Sequence, residues 1–295
     1  MARDRTLSVG AINLRIHPHT ADKYRGLLRS VYNLKQPVRV HGDRHLLMSS
    51  IDERDEFVVK GTLARFTEID LNLPWFNAAK FEAAKDDEVK HINIPPGLKP
   101  NFRSFMFEFD LKRHLFTFEV QGVDGGLSPS IALRYLASIF SNEEIVKIFG
   151  QVNADVVADA QKLEEIFNLS KLKRLSILIK RPNPDDFGDL DEDVEDRLTK
   201  QNASALKLEF EAIPGMTFVP DKLTEKLATV ALSNGRVEAV GIDQNGNNVE
   251  QSTSEHPLIY RVAYDPTETP ETTAFSSAVR GFIARMMGRN VSAPI

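Results

Sequence analysis

Phenylalanines alternate through two short runs of this chain. Phe105, Phe107 and Phe109 stand in the first, Phe116 and Phe118 in the second, with Asp110-Leu111-Lys112-Arg113-His114 between them. In a strand, successive side chains point to opposite faces. The segments Phe102 to Phe109 and Leu115 to Val120 therefore predict a hairpin with one aromatic face. Such rings, with Phe102, would make a stacking platform for nucleobases if they faced solvent. The alternation reads first as core, and the Lys112-Arg113-His114 turn is the part expected to meet solvent or a ligand.

The rest of the chain mixes both periodicities. Leu7 to Ile16, Val38 to Ser50, Glu56 to Phe66, Leu172 to Lys180 and Leu258 to Tyr264 read as strands. Leu175 to Ile179 is almost continuously apolar, which predicts burial on both faces. Thr20 is placed to cap a helix with Tyr24, Leu27, Leu28 and Val31 on its buried face, and Ser128-Pro129 to open another. Ala78 to Lys90 is rich in helix formers, Gln151 to Ala160 suits strand or helix, and Asn245-Gly246 signals a hairpin turn. Pro182 to Asp196 is an acidic connector or the start of an acidic helix, and Phe275 to Met287 a terminal amphipathic helix. The expected class is α+β, with mixed sheets, helices packed on one face and two subdomains: residues 1–150, with a basic start, and residues 151–295, more acidic.

With 295 residues, 42% hydrophobic and 27% charged, the chain has the composition of a soluble globular protein. It has no cysteine, which excludes disulfides, thiolate metal sites and cysteine nucleophiles. No stretch approaches the roughly 18 apolar residues of a membrane span, and no leader is evident, so the cytoplasm is the expected location.

Charge is unevenly spread. The first fifty residues hold nine cations, three acids and four of the seven histidines, although the whole chain has a net charge of -5. A basic segment in an acidic chain can present a local cationic surface to a polyanion. The candidate contacts there are Arg15, Lys23, Arg25, Arg29, Lys35, Arg39 and Arg44. Arg25 and Arg29 are four apart and so share a helix face. Lys112 and Arg113 add the hairpin turn. Lys171, Lys173, Arg174, Lys180 and Arg181 bracket one apolar strand, where they would rim a phosphate groove or simply guard the strand against aggregation.

Other constellations are thinner. His17-x-His19 and His41-x3-His45 each put two imidazoles on one strand face without a third metal ligand. Arg39-x5-His45 lacks the helical setting of an arginine-histidine ribonuclease pair. Asp86, Asp87, Glu88 and Lys90 have the residue types of a magnesium nuclease, but in a segment that reads as helical or irregular rather than as a strand. The acids from Asp185 to Asp196, and the run Asp243 to Asn247, miss the calcium-loop pattern. There is no phosphate-loop, dinucleotide or nucleophile-elbow motif. No cofactor and no metal are expected.

Two likenesses add to this. Leu7-Ser8-Val9-Gly10-Ala11-Ile12-Asn13-Leu14 and Leu73-Pro74-Trp75-Phe76-Asn77 resemble an uncharacterised bacterial family of a domain of unknown function. In the second half, Leu175-Ser176-Ile177-Leu178-Ile179-Lys180, Thr229-Val230-Ala231-Leu232, the turn at Gln244-Asn245-Gly246 and His256-Pro257-Leu258 resemble the RexA-like phage-defence proteins. That second likeness implies a dimeric α+β protein that binds DNA with little sequence preference and serves in abortive infection. The leading expectation is thus a non-enzymatic nucleic-acid binder, of DNA first, in antiphage defence, acting as a homodimer and with a defence-system partner protein. The alternatives are a metal-dependent nuclease and a protein-interaction module using the acidic 185–196 segment and the terminal helix.

Overall fold

A computed structural model describes residues 4–95, 97–121, 126–183 and 189–288. The aromatic runs form the hairpin β7 (Arg103–Asp110) and β8 (Leu115–Glu119), with Phe107 opposite Phe118 and Phe109 opposite Phe116. The Phe107 and Phe116 rings stack with centroids 4.8 Å apart. The five alternating rings are fully buried, whereas Phe102, just outside the strand, is 65% exposed.

This hairpin lies inside an eight-stranded sheet. Its other members are β1 (Arg5–Ile16), β2 (Val38–His41), β3 (Arg44–Asp52), β4 (Val58–Thr67), β9 (Val152–Val156) and β14 (Tyr260–Tyr264). The order is β14-β1-β8-β7-β4-β3-β2, and β9 pairs with the second half of β1 on the edge that β14 shares. One face is covered by α1 (Ala21–Leu34), α3 (Pro129–Phe140) and α4 (Glu143–Phe149), which bury the phenylalanines. Thr20 and Ser128 cap α1 and α3 as their sequences predict, accepting from the backbone N–H of Lys23 and Ile131. Tyr24, Leu27, Leu28 and Val31 form the buried stripe of α1.

The opposite face is also covered. There α8 (Glu271–Met286) lays Phe275, Ala278, Val279 and Phe282 on Leu7, Val9, Ala11 and Leu115. Helices thus sit on both faces of this sheet rather than on one. The division expected at residue 150 is not how the strands sort either. β9, β14 and α8 all come from beyond it and complete the first sheet.

The second sheet has the order β11-β10-β12-β13. It contains β10 (Lys171–Lys180), β11 (Ala205–Glu211), β12 (Gly235–Ile242) and β13 (Asn248–Ser252), with Asn245-Gly246 in the turn between the last two. Its core is shared with α5 (Ala160–Phe167), α6 (Asp189–Lys200) and α7 (Lys222–Asn234). Leu175, Ile177 and Ile179 are fully buried on one face of β10 while Leu178, on the other, is only half-buried. All pairings are antiparallel, so the apolar run does not mean burial on both sides. The acidic stretch is partly α6; residues 184–188 lie outside the described residues.

Of the two readings of Ala78 to Lys90, the irregular one describes most of it: β6 (Glu82–Ala83) pairs with β5 (Phe76–Asn77) just before it, and only the single turn α2 (Asp86–Val89) is helical. The segment has no apolar stripe to bury, and most helical stability comes from such burial. The Asn77 side chain instead accepts from the N–H groups of Ala79 and Lys80 and turns the chain.

Candidate functional site

The predicted cations are spread over the molecule. Arg15 is wholly buried, its guanidinium paired with Asp155 and donating to the Ser233 carbonyl and to Asn234 Oδ1. It fastens β1 to the end of α7 and cannot reach a ligand outside. Lys180 meets the same Asp155 carboxylate at 2.7 Å, and Arg181 pairs with Glu195 at 2.6 Å. Arg25 donates to the carbonyls of Glu53, Asp55 and Glu56, and Arg29 pairs with Glu53 at 2.9 Å, so the shared helix face clamps the turn between β3 and β4. Arg39 pairs with Asp43, and Arg113 with Asp110.

Lys171 reaches the Gly215 carbonyl and Lys173 reaches Asn248. With Arg174 they stand at one end of β10, and Lys180 and Arg181 at the other. At about 3.3 Å per residue the two groups are roughly 25 Å apart, too far to rim one groove. Lys23, Lys35, Arg44, Lys112 and Arg174 have no ion pair among the described residues. Within the amino-terminal segment, Arg15, Arg29 and Arg39 are thus engaged by acids of the fold.

One of these five belongs to a cluster that the charge count overlooked. On the phenylalanine-bearing face, Met48, Leu63 and Phe105 form one cross-strand row of core side chains on β3, β4 and β7. The next row toward the sheet's end is Leu46, Arg65 and Arg103, and Arg44 lies one step beyond on β3. Three guanidiniums thus share one face, with Arg65 and Arg103 directly opposite each other. Like charges so placed are destabilising. Arg65 is 5% exposed and its Nη1 has no hydrogen-bond partner, while Arg44 is half-buried and Arg103 exposed. Burial first, and then the charges of Arg44 and Arg103, pull the Arg65 guanidinium below its ordinary value.

No carboxylate among the described residues pairs with any of the three. The acids that the chain brings nearby, Asp43 and Glu68, are taken by Arg39 and Lys99. Arg134 of α3, packed over the same face, donates to the Val40 carbonyl one strand away. Arg103 was legible in principle, since it stands two residues from Phe105 of the predicted aromatic face; Arg65 shares its face with Leu63, which the structure places in the core.

A second polar centre lies at the other end of the hairpin. His19 meets His114 edge-on with ring centroids 5.4 Å apart, His17 lies 6.5 Å from His19, and Tyr24 stacks on His114 at 4.5 Å. The Tyr24 hydroxyl donates to the Leu14 carbonyl, and Asn183 donates to the same carbonyl. Burial, with Arg181 adding to it, lowers the pKa of His17 to about 4. His19, His114, Lys112, Arg25 and Asp22 line an open cleft of about 810 Å³. Two of the paired histidines of the sequence do converge, but the third comes from the hairpin turn.

Among the described residues no group of three or more histidine, aspartate or glutamate side chains is placed to hold a metal. Asp87 pairs with Lys90. Glu88 is held by Lys80 at 2.6 Å and by the Lys85 backbone N–H, and Lys80 foremost lowers its pKa to about 2. Those acids knit one loop together. No helix among the described residues is long and apolar enough to cross a membrane.

A family model described as a domain of unknown function, DUF4747, matches residues 5–280, and the chain belongs to that family. No curated protein matches the sequence.

Proposed function

We propose that this protein, whose family carries no assigned chemistry, binds nucleic acid by its phosphates through Arg44, Arg65 and Arg103. The observation that carries this reading is Arg65, a buried guanidinium with an unpartnered Nη1 whose charged neighbours are two more arginines. A buried charge without a counter-charge costs about 3–5 kcal/mol when its partner is simply missing. A phosphate supplies that counter-charge and accepts two parallel N–H bonds from a guanidinium. Phosphate contacts carry no base information, so little sequence preference follows.

The likeness of residues 175–258 to RexA-like proteins directs the reading toward DNA and antiphage defence, and with them a cytoplasmic homodimer with a defence-system partner. Two of the three candidate acids, Asp87 and Glu88, are engaged with lysines of their own loop, which favours binding over metal-dependent cleavage. Magnesium-dependent cutting of labelled DNA would reverse that preference.

Fluorescence anisotropy against salt tests the reading. Three phosphate contacts predict that log K falls with log salt at a slope of about -2 to -3, and that Arg65→Met or Arg103→Gln each removes about one contact from the slope. Undetectable or salt-insensitive binding to both single-stranded and duplex probes overturns it.

A further inference from the structure

We infer that the nucleic acid held by the arginine cluster is single-stranded and that its bases stack on Phe102 and on the Phe76–Phe81 pair. This rests on the phosphate-binding reading above and specifies its substrate.

Residues 68–102 leave the sheet at the end of β4, just after Arg65, and return at Arg103. The Thr67 N–H donates to the Pro100 carbonyl at 2.9 Å and closes the base of this arm. No described residue from 68 to 102 is buried. The arm nevertheless carries Leu73, Phe76, Phe81, Leu98 and Phe102, each more than half exposed, with Phe81 at 83%. Scattered apolar side chains on a surface need no explanation, but such a concentration on one arm marks an interaction surface.

The aromatic tip is held in shape. Phe76 and Phe81 meet edge-on with centroids 6.5 Å apart, and the Ala84 N–H donates to the Trp75 carbonyl. Glu88 ties together Asn77, Lys80 and the Lys85 backbone. Phe81 itself has φ +55°, a left-handed conformation that is unusual for a bulky residue. The loop thus spends backbone strain on holding an aromatic ring in water, a pattern met at functional sites.

The cluster's size and the rings select the same partner. Neighbouring strands are about 4.8 Å apart, so Arg65 and Arg103 span one short run of phosphates. The two phosphate rows that flank a duplex major groove are separated by about 12 Å. Bases within a duplex hide their faces, whereas an unpaired strand offers each base to an aromatic side chain, whatever its identity. Phe102 adjoins Arg103 in the chain and gives the first base a ring beside the first phosphate.

The experiment compares the full-length protein with the double variant Phe81→Ala/Phe102→Ala, titrated with a single strand and with a duplex of equal length. Wild type is expected to bind the single strand at least about tenfold more tightly, and the double variant to lose about tenfold or more for the single strand alone. The sole tryptophan, Trp75, lies in the arm, so its emission should change with the single strand and not with the duplex.

Equal affinity for both probes, unaltered by the double variant, overturns this inference and leaves the phosphate-binding reading standing. Binding of neither probe overturns both. A concentration-dependent dimer that dissociates in the double variant, with nucleic-acid affinity unchanged, assigns the arm to a second copy of the chain and also overturns the inference.

Discussion

Arg15 and Arg65 are both buried guanidiniums on strands of the same sheet, yet they sit in opposite electrostatic settings. Arg15 has Asp155 for a counter-charge, and the Ser233 carbonyl and Asn234 for hydrogen bonds; only its Nε lacks a partner. Arg65 has two arginines for neighbours and a free Nη1. Composition cannot separate these two residues. What separates them is whether the fold itself completes the charge. Where it does, the cation is part of the architecture; where it does not, the guanidinium is open to an outside anion, and the proposed phosphate grip rests on that difference.

The difference predicts stability changes of opposite sign. Arg15→Met should cost about 3–5 kcal/mol, because it strips the counter-charge and hydrogen bonds from a buried network. Arg65→Met replaces an uncompensated charge by an apolar side chain of similar length among Leu46, Leu63 and Phe105, and should stabilise the free protein by about 1 kcal/mol. Urea unfolding of both variants without nucleic acid decides it. If Arg65→Met destabilises as much as Arg15→Met does, Arg65 is architectural and the proposed phosphate grip loses its support.

A half-buried group, His17, sharpens the same contrast by its response to acid. His17 stands at about 4 in the folded protein, lowered by burial and then by Arg181, with Glu195 and His19 as further charged neighbours. Its unfolded value is about 6.5. Between these limits the unfolded chain binds more protons, so stability falls as pH drops from about 6.5 toward 4 and is level above that range. Allowing for partial exposure, the loss between about pH 7.5 and 5 should be about 1 kcal/mol. His17→Gln should remove that part of the slope; an unchanged slope would mean that His17 is accessible to protons in the fold.

How far the sequence discloses all this depends on whether the controlling interactions are local. The hairpin of Phe105 to Phe118, the caps at Thr20 and Ser128 and the strand at Leu175 follow from period and capping, which a few neighbouring residues decide. Recruitment of β14 and α8 to the first sheet does not, because it is fixed by Leu7, Val9 and Ala11 meeting Phe275 and Phe282 from the far end of the chain. The cluster was half legible. Arg44 stood among the candidate cations, but Arg65 and Arg103 are ordinary in number and matter through register, since pairing Leu63 with Phe105 puts them face to face. A count of amino-terminal cations leaves pairing out for the same reason: partners such as Asp155 for Arg15 and Glu53 for Arg29 are remote in sequence.

The smallest effect belongs to the exposed, paired cations, and it tests whether pairing rather than mere position separates ligand-binding arginines from the rest. Arg29 pairs with Glu53 across the α1 face, with its side chain 57% exposed. A surface pair of this kind contributes about 0–1 kcal/mol, since water already solvates both charges and ordering two long side chains offsets the attraction. Arg29→Ala should therefore change stability by no more than about 0.5 kcal/mol. With its charge neutralised at home and its place remote from the cluster's row, it should change nucleic-acid affinity by less than about twofold at physiological salt, where charges beyond about 8 Å are screened. Arg103→Gln should cost about tenfold in the same titration. If Arg29→Ala weakened binding as much as Arg103→Gln, general positive charge rather than the three uncompensated arginines would govern the affinity, and the distinction drawn from Arg15 and Arg65 would no longer identify the binding site.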